Sequence, residues 1–567
     1  MNINEYYKDL FINFLKDYKI NEKLISKINI ENPKQKNFGD VSFNAPLILA
    51  SEFKRKPLDI ANEIAEIIKK NCKDFEEIQI ANPGFINLTF KKNVLTNYIK
   101  NIHSDFGRPE KIIKKKINIE FVSANPTGPL HVGHCRGAVY GDILGNLLSY
   151  CGHEVTKEYY INDYGNQINL FIKSVYARIL ELEKGKKFPN DQNLYPGEYI
   201  IDIANEVLKK IKNRNFDKFD LLENELTELS IHSAMDIIKE NLNEMGIVHD
   251  IFISEKDIVN TNTLSEALEL LKNKNDIYHG TLPKPKGDAE DWEPREELLL
   301  KSTEYGDDID RALQKSDKTW TYFANDIAYH FNKLNRGFDT YINILGADHA
   351  GYLKRLSAAV MAMNNNKKFE IKISQIVKLF KSGKPFRMSK RAGDFILAKD
   401  LVAAVGKDAT RFMMVYRSSQ SPLDFDFDVV NDKSKDNPIF YVQYACARLN
   451  SLFEKSNLNI DNYIDDADTD ILNSEIEMSM IKKILQWPKI INLCNKTYEV
   501  HYIPFYLYEL SSEFHHFWNA GKQNEELRII GNANESIVRT RLFLMQKIYF
   551  ILKCGLDLLG VSAPKKM

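Results

Sequence analysis

The sequence has little cysteine and no excess of charge of either sign. Its 567 residues include six cysteines, and none of them stands in a Cys-x-x-Cys arrangement. Scattered single cysteines argue against a disulfide framework and against a structural zinc site, and they suit a reducing compartment. The 77 basic and 78 acidic residues leave a formal net charge of −1, which by itself does not indicate nucleic-acid binding. Any contact with a nucleic acid must therefore depend on local surfaces.

Long hydrophobic runs are also absent. No window approaches the roughly 20 apolar residues that span a bilayer. The first residues carry acidic side chains and lack an uninterrupted apolar stretch, so they predict an amphipathic helix and not a signal peptide. We therefore expect a soluble, cytoplasmic protein. With 44% hydrophobic and 27% charged residues the composition is that of a globular protein, and the length predicts about three or four domains.

Three segments of the chain differ in their sequence patterns. Residues 1–108 combine helical periodicity at Tyr6–Tyr18 and Leu58–Lys70 with an alternating run, Gly84–Phe90, that is typical of a strand. Residues 109–432 alternate strand-like and helix-like stretches, which predicts an α/β domain with a largely parallel sheet. Within that second segment, strands are expected at Ile117–Val122 and Tyr341–Leu345 and a helix at Gly351–Asn364, while residues 183–196 and 282–297 are expected to form surface loops.

The third segment, residues 433–567, predicts a helical bundle. Glycine and proline become sparse there, and apolar residues recur at helical spacing in four stretches, Tyr441–Phe453, Met480–Leu493, Tyr506–Trp518 and Ile537–Leu559. The chain is therefore expected to be a multidomain α/β protein that ends in an all-helical domain.

The densest chemical signal runs from Glu120 to His134, with the sequence EFVSANPTGPLHVGH. Its order predicts a strand, a proline- and glycine-containing loop, and a helix through Ala138–Leu148. The free N–H groups and positive dipole end at a helix N-terminus suit an anion. The two histidines of HVGH face the same side of the first turn, and Gly133 has no side chain, so a flat ring such as adenine can lie against the backbone.

Other readings of HVGH are a capped helix start and a zinc pair, for which Cys135 is the only further ligand nearby. A second segment favours a nucleotide. Residues Lys384–Gly393 join several cations and a hydroxyl in a glycine-flanked loop, a pattern suited to gripping a polyphosphate. A solvated basic loop is the usual role of such a run, so it is the pairing with HVGH that favours phosphate binding.

These two segments resemble the signatures of class I aminoacyl-tRNA synthetases, with HVGH in place of HIGH and Met388-Ser389-Lys390 at the centre of KMSKS. The stretches SANPTGPLHVGH, INDYGNQ, LGADHAGY, DATRFMMVYRS, SPLDFD and LLGVSAPKKM resemble arginyl-tRNA synthetases more specifically, in the family's order over essentially the whole chain. The resemblance implies a Rossmann-type parallel-sheet catalytic domain at residues 109–432. It also implies a small α/β N-terminal domain that contacts tRNA at residues 1–108 and a helical anticodon-binding domain at residues 433–567.

The resemblance also implies a reaction. The carboxylate of L-arginine attacks the α-phosphate of ATP to form arginyl-adenylate and pyrophosphate, and arginine is then transferred to the 3′ end of tRNA(Arg) with release of AMP. Mg²⁺ is expected to enter with ATP, and no dedicated protein cage is needed for it. Relatives are commonly monomeric and usually activate arginine only when cognate tRNA is bound, so both properties are expected here.

The implied ATP-binding residues are His131, Gly133, His134, Met388, Ser389 and Lys390, and those with a catalytic role are His131, His134 and Lys390. The second motif departs from KMSKS, because its first lysine is Arg387 and its final serine is Arg391. Many relatives lose the second lysine and carry a substitute shortly before HIGH. This chain has Gly128 at that upstream position and keeps Lys390, so Lys390 is expected to meet the β- and γ-phosphates.

The implied arginine-binding residues are Glu120, Ser123, Asn125, Tyr322, Asp326 and His349. Tyr322 and Asp326 are four residues apart and lie on one helical face, as an acceptor set for a planar guanidinium requires, although an exposed polar helix face has the same pattern. The implied tRNA-binding residues are Phe85 and Asn87, which match positions that read a D-loop base, and Tyr444 and Arg448, which suit base stacking and a phosphate or base edge.

Three alternatives stay open at this point. Another class I synthetase, such as a cysteinyl or glutaminyl enzyme, is disfavoured by the lack of zinc-binding cysteines and by the Tyr322–Asp326 pair. A non-catalytic tRNA-binding paralogue could lose His131, His134 or Lys390, yet all three are present. A generic nucleotidyltransferase would share the HIGH-like element but lack two tRNA-binding domains.

Overall fold

The computed structural model of the chain describes residues 2–33, 35–103, 105–110, 112–284, 294–364, 366–386, 396–464, 467–532 and 534–567. The chain divides into two compact units. Unit 1 comprises Met1–Ile112, Lys433–Leu558 and Ser562–Met567, and unit 2 comprises Ile113–Asp432 and Leu559–Val561. The three-domain boundaries expected from the sequence stay a prediction.

The N-terminal part of unit 1 packs helices against an antiparallel sheet. Its strands are β1 (Ile30–Glu31), β2 (Val41–Phe43), β3 (Phe75–Ala81) and β4 (Phe85–Phe90), in the order β1-β2-β4-β3. Its helices are α1 (Ile3–Phe14), α2 (Glu22–Ile25), α3 (Ala45–Phe53), α4 (Pro57–Asn71) and α5 (Lys92–Tyr98). In α4, Pro57 occupies the first turn, where its missing N–H costs nothing, and Ile60, Ile64 and Ile68 form the buried stripe. The helices and strand predicted in this part are confirmed.

Unit 2 is built on a five-stranded parallel sheet in the order β12-β11-β5-β6-β7, which confirms the predicted fold class. Its strands are β5 (Lys116–Glu120), β6 (Glu154–Ile161), β7 (Ile251–Ser254), β8 (Ile277–Gly280), β9 (Glu297–Leu300), β10 (Arg311–Gln314), β11 (Thr340–Gly346), β12 (Lys368–Ser374), β13 (Val377–Lys381), β14 (Lys384–Pro385) and β15 (Leu423–Asp426). From the central strand β5, the chain adds β6 and β7 on one side of the sheet and later adds β11 and β12 on the other side. The direction in which strands are added therefore reverses at β5. Sheets of this kind bind ligands at the carboxyl ends of the strands where this reversal occurs.

Two smaller sheets complete the strands of unit 2, an antiparallel one in the order β10-β9-β8 and a mixed one in the order β14-β13-β15. The helices are α6 (Val132–Tyr150), α7 (Asn166–Lys184), α8 (Glu198–Lys210), α9 (Glu223–Glu244), α10 (Glu255–Val259), α11 (Thr263–Asn273), α12 (Tyr322–Leu334), α13 (Leu353–Met363), α14 (Ala398–Val405), α15 (Lys407–Met414) and α16 (Phe427–Asn431).

The connection from β6 to β7 departs from simple strand–helix alternation. Three successive helices, α7 to α9, bury their apolar stripes against one another and form a separate hydrophobic core that includes Phe171, Ile203 and Leu226. The expected loop at residues 183–196 lies between α7 and α8 and is confirmed. The second expected loop, residues 282–297, ends where β9 begins, and residues 285–293 lie outside the described part of the chain.

The C-terminal part of unit 1 is helical, as predicted. Its helices are α17 (Pro438–Lys455), α18 (Glu475–Ile484), α19 (Trp487–Thr497), α20 (Tyr502–Gln523) and α21 (Glu535–Leu559). The single helical stretch expected at Met480–Leu493 is wrong in one respect, because α18 ends at Ile484 and α19 begins at Trp487. Pro488, in the first turn of α19, has no N–H to donate and its ring would clash inside a continuous helix. Across the described residues, no helix combines the length and the apolar content that a membrane span requires.

Candidate active site

A cavity of about 1160 Å³ opens in unit 2 where β5, β6 and β11 end. It is lined by every residue predicted to bind arginine and by the ATP-binding residues of the first motif, namely Glu120, Ser123, Asn125, His131, Gly133, His134, Tyr322, Asp326 and His349. Met388, Ser389 and Lys390 lie outside the described residues. Phe386 and Ile396, on either side of that segment, both line the cavity.

The backbone bends sharply where β5 ends. Val122 has a φ of 70° and Ser123 a φ of 41°, values that β-branched and ordinary side chains rarely adopt. The hydroxyl of Ser123 holds the bend, since it donates to Glu120 Oε1 at 3.1 Å and accepts from the backbone N–H of Tyr160 at 3.1 Å. Strain of this kind persists only where surrounding contacts impose it, and here it turns the loop that carries Ser123 and Asn125 along the cavity.

The two histidines of HVGH form a capping box at the start of α6. His131 is the N-cap residue and its Nδ1 accepts from the N–H of Gly133 at 3.1 Å, while Nδ1 of His134 accepts from the N–H of His131 at 3.3 Å. Burial lowers the pKa of His131 and lowers that of His134 to about 4. Both rings are therefore neutral at pH 7, and because each Nδ1 accepts, each proton sits on Nε2, where it suits an oxygen acceptor.

The residues beside these histidines distinguish between a nucleotide and a zinc ion. A Cβ added to Gly133 would lie 2.8 Å from Cε1 and Nδ1 of His131, so only glycine leaves the ring in place. The Cys135 thiol is fully buried, contacts the His131 carbonyl oxygen at 3.8 Å, and has its pKa raised to about 12 by burial. The described residues contain no group of three or more His, Cys, Asp or Glu able to hold a metal ion.

Glu120 lies in a buried network of charged side chains at the end of β5. Its Oε2 accepts from Nζ of Lys333 at 2.6 Å and from the hydroxyl of Tyr329 at 2.8 Å. The same hydroxyl contacts Oε1 of Glu158 at 2.6 Å, and Glu158 is paired with Arg336 at 2.8 Å. The charge of Glu120 is thus already balanced by Lys333. Its place on the cavity wall agrees with the predicted arginine site, but its carboxylate is largely engaged by the protein.

Two other carboxylates on the cavity wall form no ion pair within the described part of the chain. Asp326 accepts from the hydroxyl of Tyr352, and Oε1 of Glu255 accepts from Nδ2 of Asn325 at 3.3 Å. Burial, reinforced by Glu120, raises the pKa of Asp326 to about 6, and burial followed by the charge of Asp326 raises that of Glu255 to about 7. The charge of Arg355 lowers the pKa of Asp326 without forming an ion pair with it. No cation among the described residues pairs with either carboxylate, and the guanidinium of arginine would supply one.

Tyr322 and His349 stand at the open edge of the cavity. Tyr322 is the first residue of α12 and 76% exposed, one turn before Asp326, which confirms the predicted shared helical face. His349 is exposed, with its Nε2 3.5 Å from Oδ2 of Asp348. Both side chains are placed to contact a ligand that enters the cavity from solvent.

The sequence patterns missed several residues of this site. Tyr329 and Lys333 follow Asp326 at three and seven residues, so the helical periodicity of α12 could have identified them as members of the same face. Glu255 begins α10 and lies next to Asp326 only through the fold, so no local pattern points to it.

The predicted tRNA-binding residues lie in unit 1. Phe85 and Asn87 are on the interior strand β4, where Phe85 is half-buried and Asn87 is 5% exposed. On α17, the guanidinium of Arg448 lies 4.3 Å from the centre of the Tyr444 ring and donates to its hydroxyl at 2.6 Å. Arg448 also contacts Nδ1 of His515 at 3.0 Å. The side chains of Tyr444 and Arg448 are therefore packed on each other and hydrogen-bonded to each other.

The models of three protein families match successive parts of the chain. They are "Arginyl tRNA synthetase N terminal domain" at residues 5–90, "tRNA synthetases class I (R), catalytic domain" at residues 98–420, and "DALR anticodon binding domain" at residues 442–567. The match to the catalytic-domain family alone spans more than half of the chain, and it includes every described residue that lines the cavity.

Individual proteins agree with these matches. The arginine–tRNA ligase of Pelagibacter ubique (strain HTCC1062) is 50% identical over 578 residues and covers 100% of both chains. That of Ruegeria pomeroyi is 42% identical over 552 residues, covering 96% of this chain and 95% of its own. The solved arginyl-tRNA synthetase of Thermus thermophilus shares the fold, with a TM-score of 0.74 at 20% identity over 100% of both chains. These matches give no support to the non-catalytic alternative, and the chain belongs to the arginyl-tRNA synthetase family of class I aminoacyl-tRNA ligases.

Proposed function

We propose that the cavity of unit 2 performs both steps of arginine–tRNA ligation, the formation of arginyl-adenylate from L-arginine and ATP and the transfer of arginine to the 3′ end of tRNA(Arg). One observation carries the proposal. The same cavity combines a neutral histidine pair at a helix N-terminus with two carboxylates that form no ion pair among the described residues. The first suits the phosphates of a nucleotide, and the second suits a guanidinium.

The arginine side chain is proposed to bind between Glu255 and Asp326. Its five N–H donors match two carboxylates, and pairing offsets the cost of keeping both charges buried. Tyr322, one turn before Asp326, packs on the guanidinium or its alkyl stem. The remaining predicted residues, Ser123, Asn125, Glu120 and His349, line the rest of the cavity and are assigned to the amino and carboxylate groups of the substrate.

ATP is proposed to bind at the N-terminus of α6. Nε2 of His131 and Nε2 of His134 donate to phosphate or ribose oxygens as negative charge develops, and the dipole of α6 adds to this stabilisation. Gly133 leaves room for the adenine ring. Met388, Ser389 and Lys390 belong to the segment between Phe386 and Ile396, and Lys390 is assigned to the β- and γ-phosphates on the family resemblance. Mg²⁺ accompanies ATP, because the phosphates and water supply most of its ligands.

The tRNA is proposed to contact unit 1 through Tyr444 and Arg448 on α17 and through Phe85 and Asn87 on β4. A base that stacks on Tyr444 would also meet the guanidinium of Arg448, which lies over the same ring. Action as a monomer in the cytoplasm is part of the proposal and rests on the family resemblance.

The deciding experiment is aminoacylation of total tRNA with ATP, Mg²⁺ and each radiolabelled amino acid in turn. Incorporation of arginine alone is expected. Incorporation of another amino acid would retain the class of enzyme and overturn the assignment of Glu255 and Asp326. If well-folded protein incorporates no amino acid, the proposed function is wrong.

The requirement for tRNA is tested separately. Exchange of radiolabelled pyrophosphate into ATP is measured with arginine, in the presence and absence of tRNA(Arg). Exchange is expected only with tRNA. Rapid exchange without it would refute this part of the proposal and leave the ligase activity in place.

A further inference from the structure

Arg136 is a fully buried guanidinium whose hydrogen bonds within the described residues all go to backbone carbonyl oxygens. It lies on α6, two residues after His134, and is 1% exposed. Nε donates to the carbonyl of Met414 at 3.3 Å. One terminal nitrogen donates to Gln375 at 3.1 Å and Ser421 at 2.6 Å, and the other to Arg417 at 3.3 Å and Ser418 at 2.7 Å. No carboxylate pairs with it among the described residues.

The carbonyls that Arg136 holds belong to two segments that meet beside the cavity. Gln375 lies between β12 and β13 and lines the cavity, as do Ile376 and Val377 after it. Ser421 precedes β15, which pairs with β13 in parallel register, Val377 opposite Leu423. The N–H of Gln375 also donates to the Ser419 carbonyl at 2.8 Å. Arg136 therefore joins α6 to the start of both strands.

The N-terminus of the same helix forms another part of the cavity lining. His131 and His134 line the cavity from α6, while Gln375 and Val377 line it from the segment that Arg136 grips. Arg136 thus links these two parts of the cavity lining directly. We propose that Arg136 is a positioning residue for ATP, which sets the separation between the HVGH turn and the Gln375–Val377 wall. This inference rests on the proposed assignment of ATP to the N-terminus of α6.

The cost of burying the Arg136 cation favours a positioning role over a role in stabilising the fold alone. Burial lowers the pKa of Arg136 to about 10, which reflects the cost of holding an unpaired cation away from water. A well-packed apolar residue would fill the same volume without that cost. Only a planar fork with five donors can hold five carbonyls from two segments at once, whereas lysine has three donors on a flexible stem.

The test compares Arg136→Lys with Arg411→Lys in the full-length enzyme. Arg411 is a matched control, because it is also 1% exposed and donates to the carbonyls of Leu559 at 2.7 Å and Met245 at 2.9 Å, besides its pairing with Asp142. None of these partners lines the cavity. Steady-state aminoacylation gives KM for ATP, KM for arginine and kcat, and thermal unfolding gives Tm.

Arg136→Lys is expected to raise KM for ATP roughly tenfold or more while KM for arginine stays within about twofold, since misplacement of one wall affects only the substrate bound between the two. Arg411→Lys is expected to lower Tm and leave both KM values unchanged. Arg136→Gln, a neutral variant with two donors, should repeat the selective change in KM for ATP.

Three outcomes overturn the inference. The first is that Arg136→Lys and Arg411→Lys have the same KM values, and the second is that Arg136→Lys raises both KM values equally. The third is that neither Arg136 variant folds, which would make the side chain a folding determinant only. Failure of the proposed function is distinguishable, because the unaltered enzyme would then not attach arginine to tRNA at all.

Discussion

Glu255 and Asp326 lie on the wall of one cavity, and burial together with the charge of Asp326 raises the pKa of Glu255 to about 7. The two residues come from different helices, α10 and α12, and no ion pair relieves either carboxylate in the described structure. Around neutral pH, Glu255 therefore exchanges between its protonated and its ionised form when no ligand is bound. A guanidinium that binds there must displace this proton, because it pairs with the ionised carboxylate.

Arginine affinity is consequently expected to fall as the pH falls below about 7. Below that value Glu255 is protonated in the free enzyme, and binding must release the proton. For one linked proton the dissociation constant rises about tenfold per pH unit. Titration calorimetry at pH 6 and pH 8, with tRNA present and in buffers of different ionisation enthalpy, measures both the affinity and the released proton. A dissociation constant that is the same at both pH values would contradict this linkage.

Glu255→Gln is expected to separate stability from function. The folded-state pKa, raised from 4.5 to about 7, means that ionisation at higher pH destabilises the fold. The free energy of unfolding therefore falls as the pH rises from about 4.5 to 7, and the amide should recover roughly 1–3 kcal/mol at pH 8 and nothing at pH 4. The same variant should weaken arginine binding at least about a hundredfold, since it removes one partner of a buried charge pair.

Urea unfolding at pH 4 and pH 8 checks the stability of this variant, and arginine titration checks its binding. Glu266→Gln, at an exposed position on the neighbouring helix α11, is the control and should change neither. A Glu255→Gln enzyme that is less stable at pH 8 than the unaltered enzyme would show that the carboxylate contributes net favourable contacts.

Gly133→Ala is expected to damage ATP binding without damaging the fold. The new methyl group would lie 2.8 Å from the His131 ring and must displace it, whereas alanine in a helix is favoured over glycine by up to about 1 kcal/mol. KM for ATP should rise about tenfold or more, with Tm unchanged or higher. Gly137→Ala, on the same helix, would meet no atom closer than 3.8 Å and serves as the control. Equal KM values in the two variants would be inconsistent with the proposed role of this turn.

His134 has two separable roles, which two substitutions can distinguish. Its Nδ1 caps the N-terminus of α6, and its Nε2 is assigned to ATP. His134→Ala should lose about 1 kcal/mol of stability and 10²- to 10⁴-fold in kcat/KM for ATP. Glutamine is a natural capping-box residue at this position of a helix, so His134→Gln should keep most of the stability and still lose the turnover. Normal aminoacylation by both variants would remove His134 from the catalytic site.

Local sequence was sufficient wherever neighbouring residues decide the structure. The strand, loop and helix around HVGH follow from β-branched alternation, a proline- and glycine-containing turn and a side-chain cap within four residues, and the structure has them in that order. The pairing of Tyr322 with Asp326 follows from the helical repeat, and α12 confirms it. The break between α18 and α19 also has a local cause, Pro488, but the prediction of one helical stretch from apolar spacing alone missed it.

Residues that meet across long stretches of chain could not be predicted in this way. Glu255 and Asp326 are separated by 71 positions in the sequence, and Arg136 holds carbonyls that lie more than two hundred residues away. Backbone carbonyls carry no residue identity, so a guanidinium that binds them leaves no recognisable pattern in its partners. Whether a carboxylate is neutralised or unpaired likewise depends on which distant side chain the fold places beside it.

The sequence by itself therefore determined the family, the parallel sheet and the two histidines at a helix N-terminus, because periodicity, turn residues and contiguous motifs act over a few residues. Only the tertiary structure decided which carboxylates are available to a substrate. Lys333 balances Glu120, while Glu255 and Asp326 form no ion pair in the part of the chain that the structure describes. This difference arises from burial and from the order in which β5, α10 and α12 pack around one cavity.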